Sequence, residues 1–198
     1  MFFGNEEEEL ITIGAVFPIS NDFIVTGSES ATWGIHSAFG TFIAKKAINK
    51  DGGVLGKNFD LIILDGKGNP KTALQMYEEH KNNGVVAVIG PPIGAIAAEL
   101  FEKAKNDGLP FLTQTLPPQQ MAARREYYKG HPAMKDLSDT YLTNFGYGPP
   151  QVASNACECI LMLADAIKLA GGTNKKDVVS ALNEISQKFI SNPENSKS

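Results

Sequence analysis

The sequence predicts an α/β fold: three layers, with helices on both faces of a parallel sheet in the flavodoxin-like strand order 2-1-3-4. Three observations carry this. Short apolar runs alternate with helical periodicity from residue 11 to residue 113. The connections between them are short, so each crossover carries one helix and returns right-handed to a parallel neighbour. After residue 113 no further run reads as a strand, and the remaining periodicity is helical.

Residues 11–17 (ITIGAVF) form a continuous apolar run of the buried-strand type, ended by Pro18. A long loop rich in Ser, Thr and Gly is expected from Ile19 to about His36. Phe39, Phe42, Ile43 and Ala47 then recur at helical spacing, and Gly52-Gly53 stops that helix. Residues 59–64 are the second strand and 65–69 a turn. Asn69 is a helix N-cap and Pro70 the first helical residue. Ala73, Leu74 and Tyr77 mark this helix, which Gly84 ends.

Residues 85–89 are the third strand, and Gly90-Pro-Pro-Ile-Gly94 turns into a helix striped by Ile96, Ala97, Leu100, Phe101 and Ala104. Gly108 stops it, and residues 110–113 make a short fourth strand. Three helical stripes complete the chain. They are Met134/Leu137/Tyr141/Phe145, Val152/Ala156/Ile160/Leu163/Ile167 and Val178/Leu182/Ile185/Phe189. The expected organisation is an acidic lead-in over 1–10, a β/α lobe over 11–116, a Pro/Gln-rich junction over 117–130, helices over 131–190 packing on the same lobe, and a tail over 191–198.

Composition narrows the function classes. The chain has 198 residues, with 18 Lys+Arg against 22 Asp+Glu, a net charge of −4. A nucleic-acid binder carries a basic stripe, so that class is excluded as an expectation. With 42% apolar residues the chain reads as an ordinary globular one. A compact domain of this size buries roughly 70% of its unfolded surface and needs no disulfide or metal to fold. The longest uncharged stretch, residues 84–98, is too short to span a bilayer and is cut by Gly90-Pro91-Pro92. Residues 1–4 lack the basic start of a secretory leader. The expectation is a cytoplasmic protein, a recombinant one, or a mature form whose leader has been removed.

No catalytic constellation, metal-ligand set or cofactor motif is present. His36, His80 and His131 are far apart, and His80, beside Glu78 and Glu79, is expected at the surface. Cys157 and Cys159 fall at i and i+2 on one helix, point to different faces and read as packing residues. Gly52-Gly-Val-Leu-Gly-Lys57 fails as a phosphate loop: the spacing is wrong, Asn58 stands where Ser or Thr is needed, and a strand follows. Pro18 and Gly90-Pro91 occupy the places where a receiver domain needs its acidic residues. The Thr26-Gly27-Ser28 echo of a flavodoxin phosphate loop lies in too long a loop. The informative positions are therefore the loops at the carboxyl ends of the strands, where open α/β sheets bind ligands. These are residues 17–34, 65–69, 90–95 and 113–117. The turn at 90–94 delivers a helix N-terminus, whose free N–H groups favour an anion. Trp33, the one tryptophan, offers an apolar wall or covers the sheet edge.

At these residues the chain resembles a known family. Residues 13–18 (IGAVFP), 47–57 (AINKDGGVLGK), 65–70 (DGKGNP) with Ala73, and 85–91 (VVAVIGP) occur in order and at suitable spacing. Together they resemble the first lobe of type I periplasmic binding proteins, in the leucine/isoleucine/valine-binding branch. Residues 145–150 (FGYGPP) and 156–170 resemble the family's returning segment.

The resemblance implies a solute-binding protein of an amino-acid ABC importer, not an enzyme, of periplasmic or extracytoplasmic origin. It implies a small ligand such as an aliphatic amino acid and, in a full-length relative, an ABC permease as partner. The implied ligand residues are Trp33, Pro92, Ile93, Gly94, Ala95, Thr113 and Thr115.

The sequence departs from the family pattern in two ways. Family members clamp ligand between two lobes, whereas here Thr113-Gln-Thr-Leu-Pro117 runs almost directly into the returning helices, as in an engineered lobe or a reduced paralogue. The ligand loops also differ. Pro92-Ile-Gly-Ala95 lacks the usual hydroxyls, Gln114 and Pro117 replace small hydroxyl residues, residues 21–32 resemble an insertion, and Cys157-Glu-Cys159 replaces a commoner Tyr-Asp-Ala. The alternative function is a flavodoxin-like scaffold without ligand that self-associates, for example as a homodimer, through its exposed cleft face.

Overall fold

The computed structural model describes residues 9–20 and 30–191. Four strands form one all-parallel sheet in the order β2-β1-β3-β4. They are β1 (Ile11–Phe17), β2 (Phe59–Asp65), β3 (Ala87–Ile89) and β4 (Phe111–Leu112). β1 pairs along its whole length with β2, from Ile11 opposite Phe59 to Phe17 opposite Asp65, and with β3 through Ile13 to Ala15. The sequence-predicted order and strand type hold.

Side-chain alternation along β1 builds two cores. Ile11, Ile13, Ala15 and Phe17 face α1 (Ser30–Lys50) and the later helices. Val16, with Val88 and Phe111, faces α2 (Pro70–Asn82) and α3 (Gly94–Asp107), where Tyr77, Ile96 and Leu100 cover it. The result is the expected three layers.

Local signals fix most boundaries. The Asn69 side chain accepts from the Thr72 amide and Pro70 follows it, as its N-cap reading requires. Gly108, Gly146 and Gly171 close α3, α5 (Pro132–Phe145) and α6 (Gln151–Ala170) in the left-handed conformation. α7 (Lys175–Ser191) completes the chain as described.

Four expectations need correction. The loop expected from Ile19 to about His36 is shorter: α1 begins at Ser30, so Trp33 and His36 are helical. Most of the insertion-like stretch, residues 21–29, lies outside the described residues. Residues 118–128, read as part of a junction, form helix α4 (Pro118–Tyr128), with proline in its first turn. The third and fourth strands are shorter than their apolar runs, although the Val86 amide still donates to Thr12 O at 2.9 Å.

The fourth correction concerns His80, which is fully buried rather than at the surface. On α2 it continues the inward stripe of Ala73 and Tyr77 at i, i+4 and i+7. Gly14 makes the space: a Cβ there would meet the His80 ring at 2.6 Å. Nε2 lies 3.0 Å from Ala15 O, which can only accept, so Nε2 carries the hydrogen, and burial holds the pKa of the ring below its ordinary value. Cys157 and Cys159 are both buried and unpaired by disulfide, as packing residues should be. Burial pushes both thiols up.

Candidate functional site

The carboxyl ends of β1, β3 and β4 meet at one edge of the sheet. Each connection there is fixed by specific bonds. After β1, the chain at Ile19 and Ser20 is held by Asp65 at the end of β2. The Asp65 carboxylate accepts from the Ile19 amide at 2.9 Å, from the Ser20 amide at 3.1 Å and hydroxyl at 2.5 Å, and from the Lys67 amide at 2.9 Å. Burial alone would raise its pKa, but the hydrogen bonds from Ser20, Lys67 and Ile19 outweigh burial and hold it below its ordinary value.

Trp33 sits in the second turn of α1 and is 39% exposed. Its neighbour Gly34 lies against the end of β1, where a Cβ would meet Pro18 O at 2.0 Å. Only glycine lets α1 approach this closely, and the approach places Trp33 beside the sheet edge.

Pro92 and Ile93 are half-buried in the turn after β3, and Gly94 and Ala95 open α3 in exposed positions. Ile93 is the N-cap and supplies no side-chain hydrogen bond. The first-turn N–H groups thus face outward without a capping side chain, an arrangement that suits a carboxylate. Thr115, on the loop after β4, stands next to them: a Cβ on Gly94 would touch its methyl at 3.4 Å. The Thr113 hydroxyl turns into its own loop, donating to Thr115 O at 3.1 Å and accepting from the Thr115 amide at 3.0 Å. It shapes the loop that presents Thr115.

Gln114 ties these pieces together, a role that reading the sequence missed. It is buried, donates Nε2 to Gly90 O at 3.0 Å, and offers Oε1 to the Ser37 hydroxyl at 2.8 Å. The same Ser37 hydroxyl lies 2.8 Å from Trp33 O, and its one hydrogen serves one acceptor at a time. Asn155 on α6 donates to Gln114 O at 3.2 Å. Gln114 therefore couples α1 and the β3 turn to the β4 loop through its side-chain amide, and α6 through its backbone carbonyl. The signal was present, since a glutamine amid small residues at the end of a strand has a longer reach than the position needs.

A second missed element is the buried pair of Arg124 on α4 and Glu158 on α6, 2.9 Å apart, with side chains 1% and 0% exposed. Glu158 is the one acidic residue between Gln151 and Leu163, in the most apolar helix, and that was its signal. Burial pushes its carboxyl up, against the pull of the Arg124 guanidinium.

No cluster of three His, Cys, Asp or Glu that could hold a metal occurs among the described residues. No described helix is long and apolar enough to cross a membrane.

Comparison with known proteins gives the family and the fold. A family profile described as periplasmic binding protein matches residues 11–128. The Leu/Ile/Val-binding protein BraC3 of Rhizobium johnstonii is 27% identical over 105 residues, which are 53% of this chain and 27% of that protein. The match thus spans about a quarter of that relative. The leucine-binding protein LivK of Thermotoga maritima superposes with a TM-score of 0.68 at 12% identity, over 87% of each chain. The branched-chain amino acid transporter substrate-binding protein LivJ of Streptococcus pneumoniae, solved with isoleucine, gives 0.65 at 14% identity over 88% of each chain. At these identities the two structures speak for the fold.

Proposed function

Because the chain belongs to the periplasmic binding protein family, we propose that it is a solute-binding lobe that holds a small amino-acid-like ligand and performs no chemistry on it. The observation that carries this reading is the meeting of uncapped N–H groups at Gly94 and Ala95 with Thr115 at the carboxyl edge of the sheet. In this reading the N–H groups take the ligand carboxylate, Thr115 adds a hydroxyl, Pro92 and Ile93 shape the floor, and Trp33 walls the aliphatic body. Thr113 acts through Thr115. An aliphatic amino acid is the ligand of choice, because relatives of this fold were solved with isoleucine and leucine. The natural setting is extracytoplasmic, beside an ABC permease.

The chain as a single lobe is part of the proposal. The described residues form one four-stranded sheet with its helices. A half-site leaves one face of the ligand in water, so less binding free energy offsets the lost freedom. A dissociation constant on the order of 1 mM follows. The test is a thermal melt with each standard amino acid at 10 mM. At a tenfold excess over Kd a ligand adds about 1.4 kcal/mol, and a chain of this size rises by roughly 3–6 °C. An aliphatic amino acid is expected to give that rise, and Trp33→Ala to remove it. A flat response across the panel contradicts the proposal.

A second reading, self-association without ligand, is supported by the exposed apolar flank of α1 and α5. Phe39 and Phe145 lie with ring centroids 6.0 Å apart, and Phe42, Phe145 and Tyr147 are each well exposed. Sedimentation velocity across a hundredfold concentration range separates a dimerising scaffold from a monomeric lobe.

A further inference from the structure

α5 begins on a histidine. His131 is the N-cap of the helix: its backbone is extended, Pro132 follows it, and its Nδ1 accepts from the Ala133 amide at 3.1 Å. A backbone amide can only donate, so Nδ1 carries no hydrogen and the neutral ring holds its hydrogen on Nε2. Asn69 does the same work for α2, its Oδ1 accepting from the Thr72 amide at 3.1 Å, and an amide oxygen accepts at every ordinary pH. An imidazole accepts only while neutral. A proton on Nδ1 sets an N–H against the Ala133 N–H and a positive charge at the positive end of the helix dipole.

The chain has three histidines, and His131 differs from the other two. His80 donates Nε2 to Ala15 O, a bond that a charged ring also makes. His36 Nδ1 lies 2.6 Å from the Tyr141 hydroxyl, which donates to a neutral ring and accepts from a charged one. Of the three bonds, the one from Ala133 to His131 alone requires the neutral ring.

The surroundings also offer the charged ring another partner. Tyr128 of α4 packs edge-on to His131, ring centroids 6.5 Å apart, and donates its hydroxyl to Asp165 Oδ2 of α6 at 2.9 Å. Burial holds the pKa of His131 below its ordinary value; Asp165 opposes this, Lys168 of α6 adds to it, and Asp51, just after α1, opposes it. Within α5, Lys135 is paired with Asp139.

We propose that His131 is an acid-operated switch with two positions: neutral, it caps α5; protonated, it leaves the Ala133 amide and turns to the carboxylate of Asp165. The first turn of α5 then loosens. The rest of the helix stays, because Leu137 and Tyr141 are fully buried and Gly146 closes its other end. The switch stands near Asp51, at the opposite end of the 21-residue α1 from Trp33, and does not depend on the amino-acid reading.

The test is an NMR titration of the full chain from about pH 7.5 to about pH 5. The His131 ring is expected in its Nε2–H form at the upper end. The Ala133 amide signal is expected to move with the same midpoint as the His131 ring, below about 6.5. Its protection from hydrogen exchange should fall at least tenfold, while the Thr72 amide keeps its protection. His131→Asn keeps an acceptor that does not titrate, so Ala133 should stay protected throughout. Asp165→Asn keeps an acceptor for Tyr128 and is expected to lower the midpoint of His131. The proposal is overturned if the neutral ring carries its hydrogen on Nδ1, if the Ala133 amide ignores the ring's titration, or if Ala133 loses protection equally in His131→Asn. An unmoved midpoint in Asp165→Asn overturns the second position, and with it the switch. The ring and amide titrations stand on the unaltered chain, whatever the variants do.

Discussion

The Gln114 side chain spans a gap that no backbone bond closes, from Ser37 on α1 to Gly90 after β3. Gln114→Leu keeps the volume and orphans the buried Gly90 carbonyl, while the Ser37 hydroxyl keeps Trp33 O as its acceptor. A group left unsatisfied costs about 1–3 kcal/mol, so urea denaturation should show a loss of that size. His80 gives a pH dependence. Burial holds its pKa below the ordinary value, against the smaller opposing effects of Ala15 O and Glu79. The unfolded state therefore takes up the proton first, near pH 6.5, and binds more protons than the folded state below that. Stability is complete above about pH 6.5 and falls as pH drops toward the lower folded value. His36 and His131 shift the same way, chiefly by burial. His80→Gln keeps a donor for Ala15 O and cannot titrate, so it should lose part of the fall between pH 7.5 and 5.5. An unchanged fall would assign the effect to the other two histidines. His80 was misread because Glu78 and Glu79 mark a solvated face, while its own place on the Ala73–Tyr77 stripe marked the inner one.

α1 and α6 cross in close contact at Gly40. A Cβ on Gly40 would meet Ala153 O at 2.0 Å, and a backbone carbonyl cannot rotate away. Gly40→Val should separate the helices and cost about 1–3 kcal/mol or more, read from the denaturation midpoint. Leu163, fully buried on α6, should cost about 2–5 kcal/mol when cut to alanine.

The elements that the sequence made legible are those with strong local signals. Asn69-Pro70 marked α2, and glycines marked the ends of α3, α5 and α6. The start of α1 was hidden because Ser30, Thr32 and Trp33 are weak helix formers, and the approach of Gly34 to Pro18 is a tertiary contact that local pattern does not report. α4 was hidden behind Pro117 and Pro118, although the Met-Ala-Ala-Arg-Arg-Glu run that follows is a strong helix former. At the candidate site the loops were legible from topology alone. The Gln114 and Arg124 bonds were not, because they join residues far apart in the chain, and periodicity carries no information about such pairs.

At the scale of the whole molecule, two cores flank one sheet, and the chain ends of three strands converge on one open edge. Asp65 and Gln114 already hold the loops at that edge, so the proposed binding there needs no moving part. In the proposed single-lobe reading the cost falls on affinity, since one face of the ligand stays in water. The central claim is that ligand meets the amides of Gly94 and Ala95, beside Trp33. The most direct test is an amide and indole NMR titration with leucine to 50 mM. The account predicts saturable shifts of the Gly94 and Ala95 amides and the Trp33 indole, with a millimolar midpoint. Unmoved signals at all three positions, with the protein folded, would contradict it.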